Sequence, residues 1–205
     1  MQECSEKRPY DHLLECAAEQ MARIAPLPEL ARAAQEAGVP LQKAQAWFAD
    51  DQALSMAVVE QQMVLLTDHL SRRATAVPSG DIVGQLRAMT HAYVEWFFDN
   101  PTGGRLLVSP AAVALLSQHK VGRFSSAIYD LAQSMMERAR DAGLIKADID
   151  VAEVLLTMRA LTLGIVVLQD MDHARLWGNH TDPQAALKRV MDSYFDLALQ
   201  KVDGR

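Results

Sequence analysis

Catalysis and metal binding each need a few side chains at set spacing, and this sequence of 205 residues is poor in such sets. Its histidines (His12, His69, His91, His119, His173 and His180) are scattered, and no two stand four apart as one helix face would need to hold a metal ion. His173 and His180 with Asp170 and Asp172 have ligand chemistry, but a solvated loop accounts for them better. Cys4 and Cys16 lack the Cys-x-x-Cys spacing of a redox pair. Gly103-Gly104 lacks the flanking Gly-Lys-Ser/Thr of a phosphate cradle, and nothing follows the Gly-x-Ser-x-Gly pattern of a nucleophile elbow. The sequence therefore predicts no catalytic residues, no metal, no cofactor and no enzyme.

Two other sets have binding chemistry. Gln42, Lys43 and Gln45 lie close together after a glycine corner. Glutamine pairs bidentately with adenine and lysine donates to guanine, so a helix bearing them outward could read bases. A merely solvated helix face would use the same residue types. Lys7 and Arg8, on an arm ahead of the first helix, add cationic groups for a DNA backbone or are plain terminal charges. The second set is apolar. Met89, Tyr93, Trp96 and Phe97 crowd one segment of a chain that is only 6% aromatic. Phe124 and Met158 are further lining candidates, and soft methionines suit an adaptable pocket for an apolar or aromatic small molecule. An ordinary core is the competing reading for each residue. Arg159, Thr162 and His119 are the polar groups to watch. A cation on an apolar helix must be paired or face a cavity, where an anionic ligand group would be its partner.

The elements that hold these residues read as helices. Ser109-Pro110 and Asp182-Pro183 each have an N-cap followed by proline at the first helical position, and Asp150 with Glu153 forms a variant capping box. Ala142-Gly143-Leu144 fits a left-handed helix stop. Apolar residues recur three and four apart in three stripes. These are Ile82, Leu86, Met89, Tyr93 and Phe97; then Phe124, Ile128, Leu131 and Met135; then Leu187, Val190, Met191, Tyr194 and Leu197. No two-residue alternation points to a sheet, so the fold class is all-α. Three short helical units fill Tyr10 to Phe48, with connections at Pro26-Leu27-Pro28 and Gly38-Val39-Pro40. A longer helix runs from about Asp50 to Arg73, a loop covers Ala74 to Gly80, and the helices after it are all long. The division is a head over residues 1–49 and a larger helical bundle over 50–205.

Charge and hydropathy narrow the setting. With 26 acidic and 20 basic residues the chain is no general polyanion binder, so any nucleic-acid contact must be local. The N-terminal segment has no apolar signal core, and two cysteines make no disulfide framework, so a cytoplasmic location is expected. Val151 to Met171 approaches the length of a membrane span but contains Glu153 and Arg159, which argues against insertion. It reads instead as a helix apolar on two faces, one covered by its own core and the other by a partner. With the amphipathic Pro183–Val202 it would build a four-helix bundle between two copies.

Leu30, Ala31, Ala34, Ala37-Gly38-Val39, Phe48, Leu54 and Val58 closely resemble the N-terminal helix-turn-helix of the tetracycline-repressor (TetR) family. His91 to Pro110 and Ala142 to Val154 are similar, more weakly, to segments of the family's C-terminal domains. The resemblance implies a helical homodimer with a DNA-reading head, a ligand pocket in the body, and operator DNA and a small-molecule effector as partners. Three positions depart from the family pattern. Gln45 stands where a phosphate-contacting tyrosine is usual, Asp51 where lysine is usual, and Pro40 where serine or threonine would cap the second helix. Between Pro28 and Leu54, Glu29, Glu36, Asp50 and Asp51 oppose only Arg32 and Lys43. That excess of acid opposes phosphate binding. The leading reading is thus a TetR-like, ligand-responsive DNA-binding regulator. The alternative is a protein of the same fold that has lost DNA binding and acts as a small-molecule-binding or co-regulatory protein.

Overall fold

The computed structural model describes residues 3–23, 28–117, 119–170 and 182–199, with the side chains of 3–8, 119–121, 165–166, 168–170 and 183 outside that description. Among the described residues there are ten α-helices and no strand, as the apolar spacing predicts. They are α1 (Glu3–Ala22), α2 (Leu30–Glu36), α3 (Leu41–Trp47), α4 (Asp51–Thr75), α5 (Ile82–Asp99), α6 (Pro101–Val108), α7 (Pro110–Leu116), α8 (His119–Asp141), α9 (Val151–Asp170) and α10 (Pro183–Leu199). The chain forms two compact units, one of residues 1–65 with 102–125 and the other of 66–101 with 126–205.

The punctuation read from the sequence works as written. Ser109 Oγ accepts from the Ala112 amide at 3.2 Å. Asp150 and Asp182 carboxylates accept from Glu153 and Ala185 amides at 3.0 and 2.9 Å. Gly143 (φ 66°) closes α8, with its own amide on Arg140 O and the Leu144 amide on Ala139 O. This paired stop satisfies carbonyls that would otherwise be orphaned. Two readings need correction. The helices after residue 80 are not all long, because prolines at 101 and 110 restart the chain as the short α6 and α7. The first helix begins at Glu3 and runs through Pro9, so Lys7 and Arg8 lie within it rather than on an arm ahead of it. Glutamate, lysine and arginine are good helix formers, and the missing proline amide removes only one bond of the ladder.

In the first unit α1, α2 and α3 pack in sequence, and Leu13, Ala17, Leu30, Ala34, Ala44, Phe48, Leu54 and Val58 are buried. In the second unit α5, α9 and α10 are mutual neighbours. Its main core joins Ile82, Leu86 and Met89 of α5 to Met135, Met136 and Ala139 of α8, Val151, Val154 and Leu155 of α9, and Phe195 and Leu199 of α10. Two of the predicted stripes divide. On α8 Met135 is buried while Leu131 faces out, and on α10 Met191 is buried while Val190 and Leu197 face out. The buried partners on α10 are instead Ala186, Phe195 and Leu199. No helix of the described residues is long and apolar enough to cross a membrane.

A polar ladder joins α5 to α10. Arg87, His91 and Glu95 recur every fourth residue on α5, as do Lys188, Asp192 and Asp196 on α10, and in each case that spacing makes one helix face. Arg87 donates to Asp192 at 2.7 Å and also to Asp196. His91 Nε2 lies 2.8 Å from Asp192 Oδ1, and Lys188 Nζ donates to Glu95 at 2.6 Å. Glu95 also receives Arg73 of α4 at 2.8 Å, and His69 Nε2 lies 3.7 Å away. Burial alone would raise the Glu95 carboxyl, but the hydrogen bonds from Lys188 and Arg73 outweigh it and hold it below the ordinary carboxylate range. Asp192 is lowered in the same way, burial being overcome by Arg87 and His91. A carboxyl held low in the folded state stabilises fully above its unfolded value, and that contribution fades as pH falls through the folded value. Glu95→Gln should therefore cost about 2 kcal/mol at neutral pH. In urea unfolding at stepped pH, the gap between wild type and variant should narrow below about pH 4.3. A gap unchanged down to pH 3 contradicts this role.

Candidate functional site

The turn between α2 and α3 is built by Gly38. Its φ of 67° lies in the left-handed region, where a side chain is strained. The Gly38 amide reaches Gln35 O at 3.1 Å and the Val39 amide reaches Ala34 O at 2.8 Å, which closes α2 and redirects the chain. Pro40 then begins α3, and no side chain caps it, as its proline predicts. On the helix that follows, Gln42 and Gln45 are exposed and Lys43 is half-buried, its Nζ 5.3 Å from the centre of the Trp47 ring. Trp47 meets Tyr10 of α1 edge-on at 5.4 Å, and Tyr10 stacks on Phe48 at 5.5 Å. These rings tie α3 to α1. Burial first, then Asp11 and Glu60, push the Tyr10 phenol up, so it stays a neutral hydroxyl. The side chains of Lys7 and Arg8 lie outside the described residues.

Both aspartates that add to the acidity around α2 and α3 have local work. Asp50 Oδ1 accepts from the Ala53 amide at 2.7 Å and caps α4. Asp51 Oδ1 accepts from the Leu30 amide at 2.7 Å, across 21 positions of sequence. Glu29, the residue at the N-cap of α2, makes no side-chain cap of its own, so Asp51 supplies the missing acceptor. A lysine there could not. Asp51 is thus held against the positive end of α2 rather than turned freely to solvent. Sequence reasoning registered the charge but missed this bond, since local spacing gives no sign of a cap supplied from another helix.

In the second unit the structure brings together seven of the predicted ligand residues on two neighbouring helices, with Met89, Tyr93, Trp96 and Phe97 on α5 and Met158, Arg159 and Thr162 on α9. Trp96 and Phe97 are buried and meet edge-on at 5.1 Å, and Tyr93 stacks on Phe97 at 4.9 Å. Arg159 crosses to α5, where its Nη1 donates to the Tyr93 hydroxyl and its guanidinium lies 5.6 Å from the ring centre. The buried Thr162 turns its hydroxyl back onto Met158 O at 2.6 Å. Burial pushes the Tyr93 phenol up despite the nearby Arg159 charge. Phe124 belongs to the first unit, with the Arg123 guanidinium 4.9 Å above its ring. His119, Asp170, Asp172, His173 and His180 have side chains outside the described residues, as does Cys4. No group of three His, Cys, Asp or Glu able to hold a metal occurs among those described. The ladder residues Arg87, Glu95, Lys188 and Asp192 were missed as a set, although their matching four-residue spacing was a readable signal.

No family model and no curated protein matches the sequence. Solved structures do. A TetR family transcription regulator from Marinobacter aquaeolei superposes with a TM-score of 0.76 at 15% identity, over 98% of this chain and 100% of that one. The ketosteroid transcriptional regulator KstR2 of Mycobacterium tuberculosis gives 0.71 at 15%, over 95% and 96%. The regulator FadR of Bacillus subtilis, solved with stearoyl-CoA, gives 0.70 at 13%, over 93% and 98%. These neighbours are regulators, and their likeness runs through almost the full length at identities that speak for architecture alone. The chain has the fold of the TetR-family transcription regulators.

Proposed function

We propose that the chain is a cytoplasmic, homodimeric transcription regulator whose head (residues 1–49) reads operator DNA and whose body (residues 50–205) binds a small apolar or aromatic molecule. The observation that carries this reading is the head itself, where a left-handed glycine turn presents Gln42 and Gln45 to solvent on α3. A helix so presented suits a major groove. Lys43, steadied over Trp47, adds a donor, and Lys7 and Arg8 add charge for the backbone. The pocket of this reading is made of Met89, Tyr93, Trp96, Phe97, Met158, Arg159 and Thr162, and Phe124, in the first unit, is left out of it. Ligand binding would select one of two dimer geometries, and the coupling between ligand and DNA must be reciprocal. The second reading, a ligand-binding or co-regulatory protein of this fold without DNA affinity, draws support from the acidic residues around α2 and α3.

Anisotropy of labelled DNA flanking the chain's own gene, titrated with potassium chloride, separates the two. A regulator binds a specific site tightly and loses affinity steeply with salt. Gln42→Ala and Gln45→Ala should each cost about 1–3 kcal/mol at that site with the salt slope unchanged. Affinity no better than for random DNA overturns the first reading in favour of the second. Asp51→Ala should cost the head about 1 kcal/mol in denaturant unfolding through loss of the α2 cap, whichever reading holds.

The dimer reading rests on Leu156 of α9 and Leu197 of α10, which are 70% and 73% exposed, with Val167 and Val190 also outward. Apolar side chains so exposed on the two helices suit a second copy. The double variant Leu156→Asp, Leu197→Asp should scatter light as a monomer where the wild type gives twice the chain mass. A wild-type monomer at micromolar concentration removes the dimer.

A further inference from the structure

We propose that a second copy of the chain docks on α9 in one register, antiparallel about Leu156, with Glu153 of each copy paired to Arg159 of the other. This rests on the dimer reading and adds to it an axis and a reciprocal ion pair. Between Val151 and Ala160 the exposed residues are Ala152, Glu153, Leu156, Arg159 and Ala160. Their spacing of three and four makes them one face of the helix. Leu156, at its centre, is 70% exposed. That face reads small, acid, leucine, base, small, the same from either end with the charges exchanged.

A two-fold contact brings residue i of one copy to residue j of the other, and j to i. For helices crossing antiparallel at Leu156, each position meets the one equally far on the other side. Glu153 then meets Arg159 and Ala152 meets Ala160, each pair twice. A parallel arrangement would instead set Glu153 against Glu153 and Arg159 against Arg159, like charge on like. Both charged groups have capacity to spare within their own copy. The Glu153 amide donates to Asp150 at 3.0 Å, and its carboxylate has no partner among the described residues. Arg159 donates to the Tyr93 hydroxyl and stands in no ion pair among the described residues, and a guanidinium has five N–H donors. Tyr93 stacks on the buried Phe97, so this bond steadies the exposed guanidinium. The small alanines let two backbones approach, and leucines meeting at the axis leave water. α10 has no such symmetry. Around its exposed Ser193 stand Arg189, Val190, Asp196 and Leu197, which match their reflections in neither charge nor size. Asp196 is moreover taken by Arg87. The axis is therefore set by α9.

Charge exchange in the full chain tests this, read by light scattering over a dilution series and by native mass spectrometry. Glu153→Arg puts a like pair at both ends of the contact, and Arg159→Glu does so with the opposite sign. Each variant alone should dimerise about tenfold or more weakly than wild type. Mixed in equal amounts they should form a heterodimer in preference to either homodimer, because every pair between them is again of opposite charge. The double variant Glu153→Arg, Arg159→Glu should recover wild-type dimerisation. The mixture is the decisive arm, since Glu153 in the first turn of α9 also favours the helix end, which reversal would weaken by itself. Should a single variant melt early, Leu156→Cys in a chain with Cys4→Ser and Cys16→Ser keeps the test available. A cysteine on the axis should cross-link to its own copy on mild oxidation far faster than one from Ala152→Cys or Ala160→Cys, whose self-pairs stand about 12 Å apart along the helix. Mixed variants that stay apart or pair at random, single variants that dimerise as wild type, or equal cross-linking at the three positions overturn the register and leave the dimer reading standing. A wild-type monomer at micromolar concentration overturns the register together with the dimer.

Discussion

The second unit depends on one register, the antiparallel pairing of Arg87, His91 and Glu95 on α5 with Asp196, Asp192 and Lys188 on α10. Each helix repeats its polar groups every four residues, and the order of charge on one is the reverse complement of the other. A slip of one turn would set Glu95 opposite Asp192, carboxylate against carboxylate, and carry Arg87 past both of its aspartates. Apolar packing tolerates such slips far better than charge does, because one leucine fills much the same space as the next. Glu95 is the critical rung. Its side chain is only 14% exposed, and an ionised carboxylate so covered is tolerable only with Arg73 and Lys188 in place. The same rung engages α4 through Arg73, so one carboxylate organises three helices.

Much of the fold was legible because its signals are local. Caps at Ser109, Asp150 and Asp182 and the glycine stops at 38 and 143 are decided within four residues of sequence, and each appears where its residue type requires. What escaped was non-local. The stripe reading of α10 counted Val190 and Leu197 as core because periodicity reports spacing, not which of two apolar faces has a neighbour within the chain. The ladder escaped for a related reason, since its meaning lies in the match between two helices rather than in either alone. On the candidate sites the sequence named residues and could not see their bonds. It picked out Arg159 and Tyr93 separately, and only coordinates reveal that they touch.

The head illustrates how a charge and a bond can pull a residue's meaning apart. Counted as charge, Asp51 opposes DNA. Seen as an acceptor, it completes α2 at a helix end where Glu29 provides no cap. The two effects are not alternatives. A carboxylate held at a helix N-terminus is partly neutralised by the aligned amides and still repels a phosphate that approaches the same end. Any base contact by the head would then fall to α3, which has two exposed neutral glutamines and one half-buried lysine. Such a face discriminates between bases better than it grips a backbone, so specificity would outweigh raw affinity in any DNA contact it makes.

Tyr93 stands two residues from both His91 and Glu95, which at 3.6 residues per turn sets it on roughly the opposite side of α5 from the ladder. The ladder thereby fixes the rotation of α5 and, through it, the direction in which Tyr93 meets Arg159. A group meeting Arg159 would act on α9 and on Tyr93 together, while the far side of α5 is held by paired charges that resist sliding. Movement is then least opposed at α9, whose exposed Leu156 and Val167 are the groups a second copy would grip. Arg159 lies three residues from Leu156 on the same exposed face of α9, so a group meeting Arg159 and a second copy at Leu156 would act on that helix from one side. That is the arrangement needed for occupancy of one to be felt by the other.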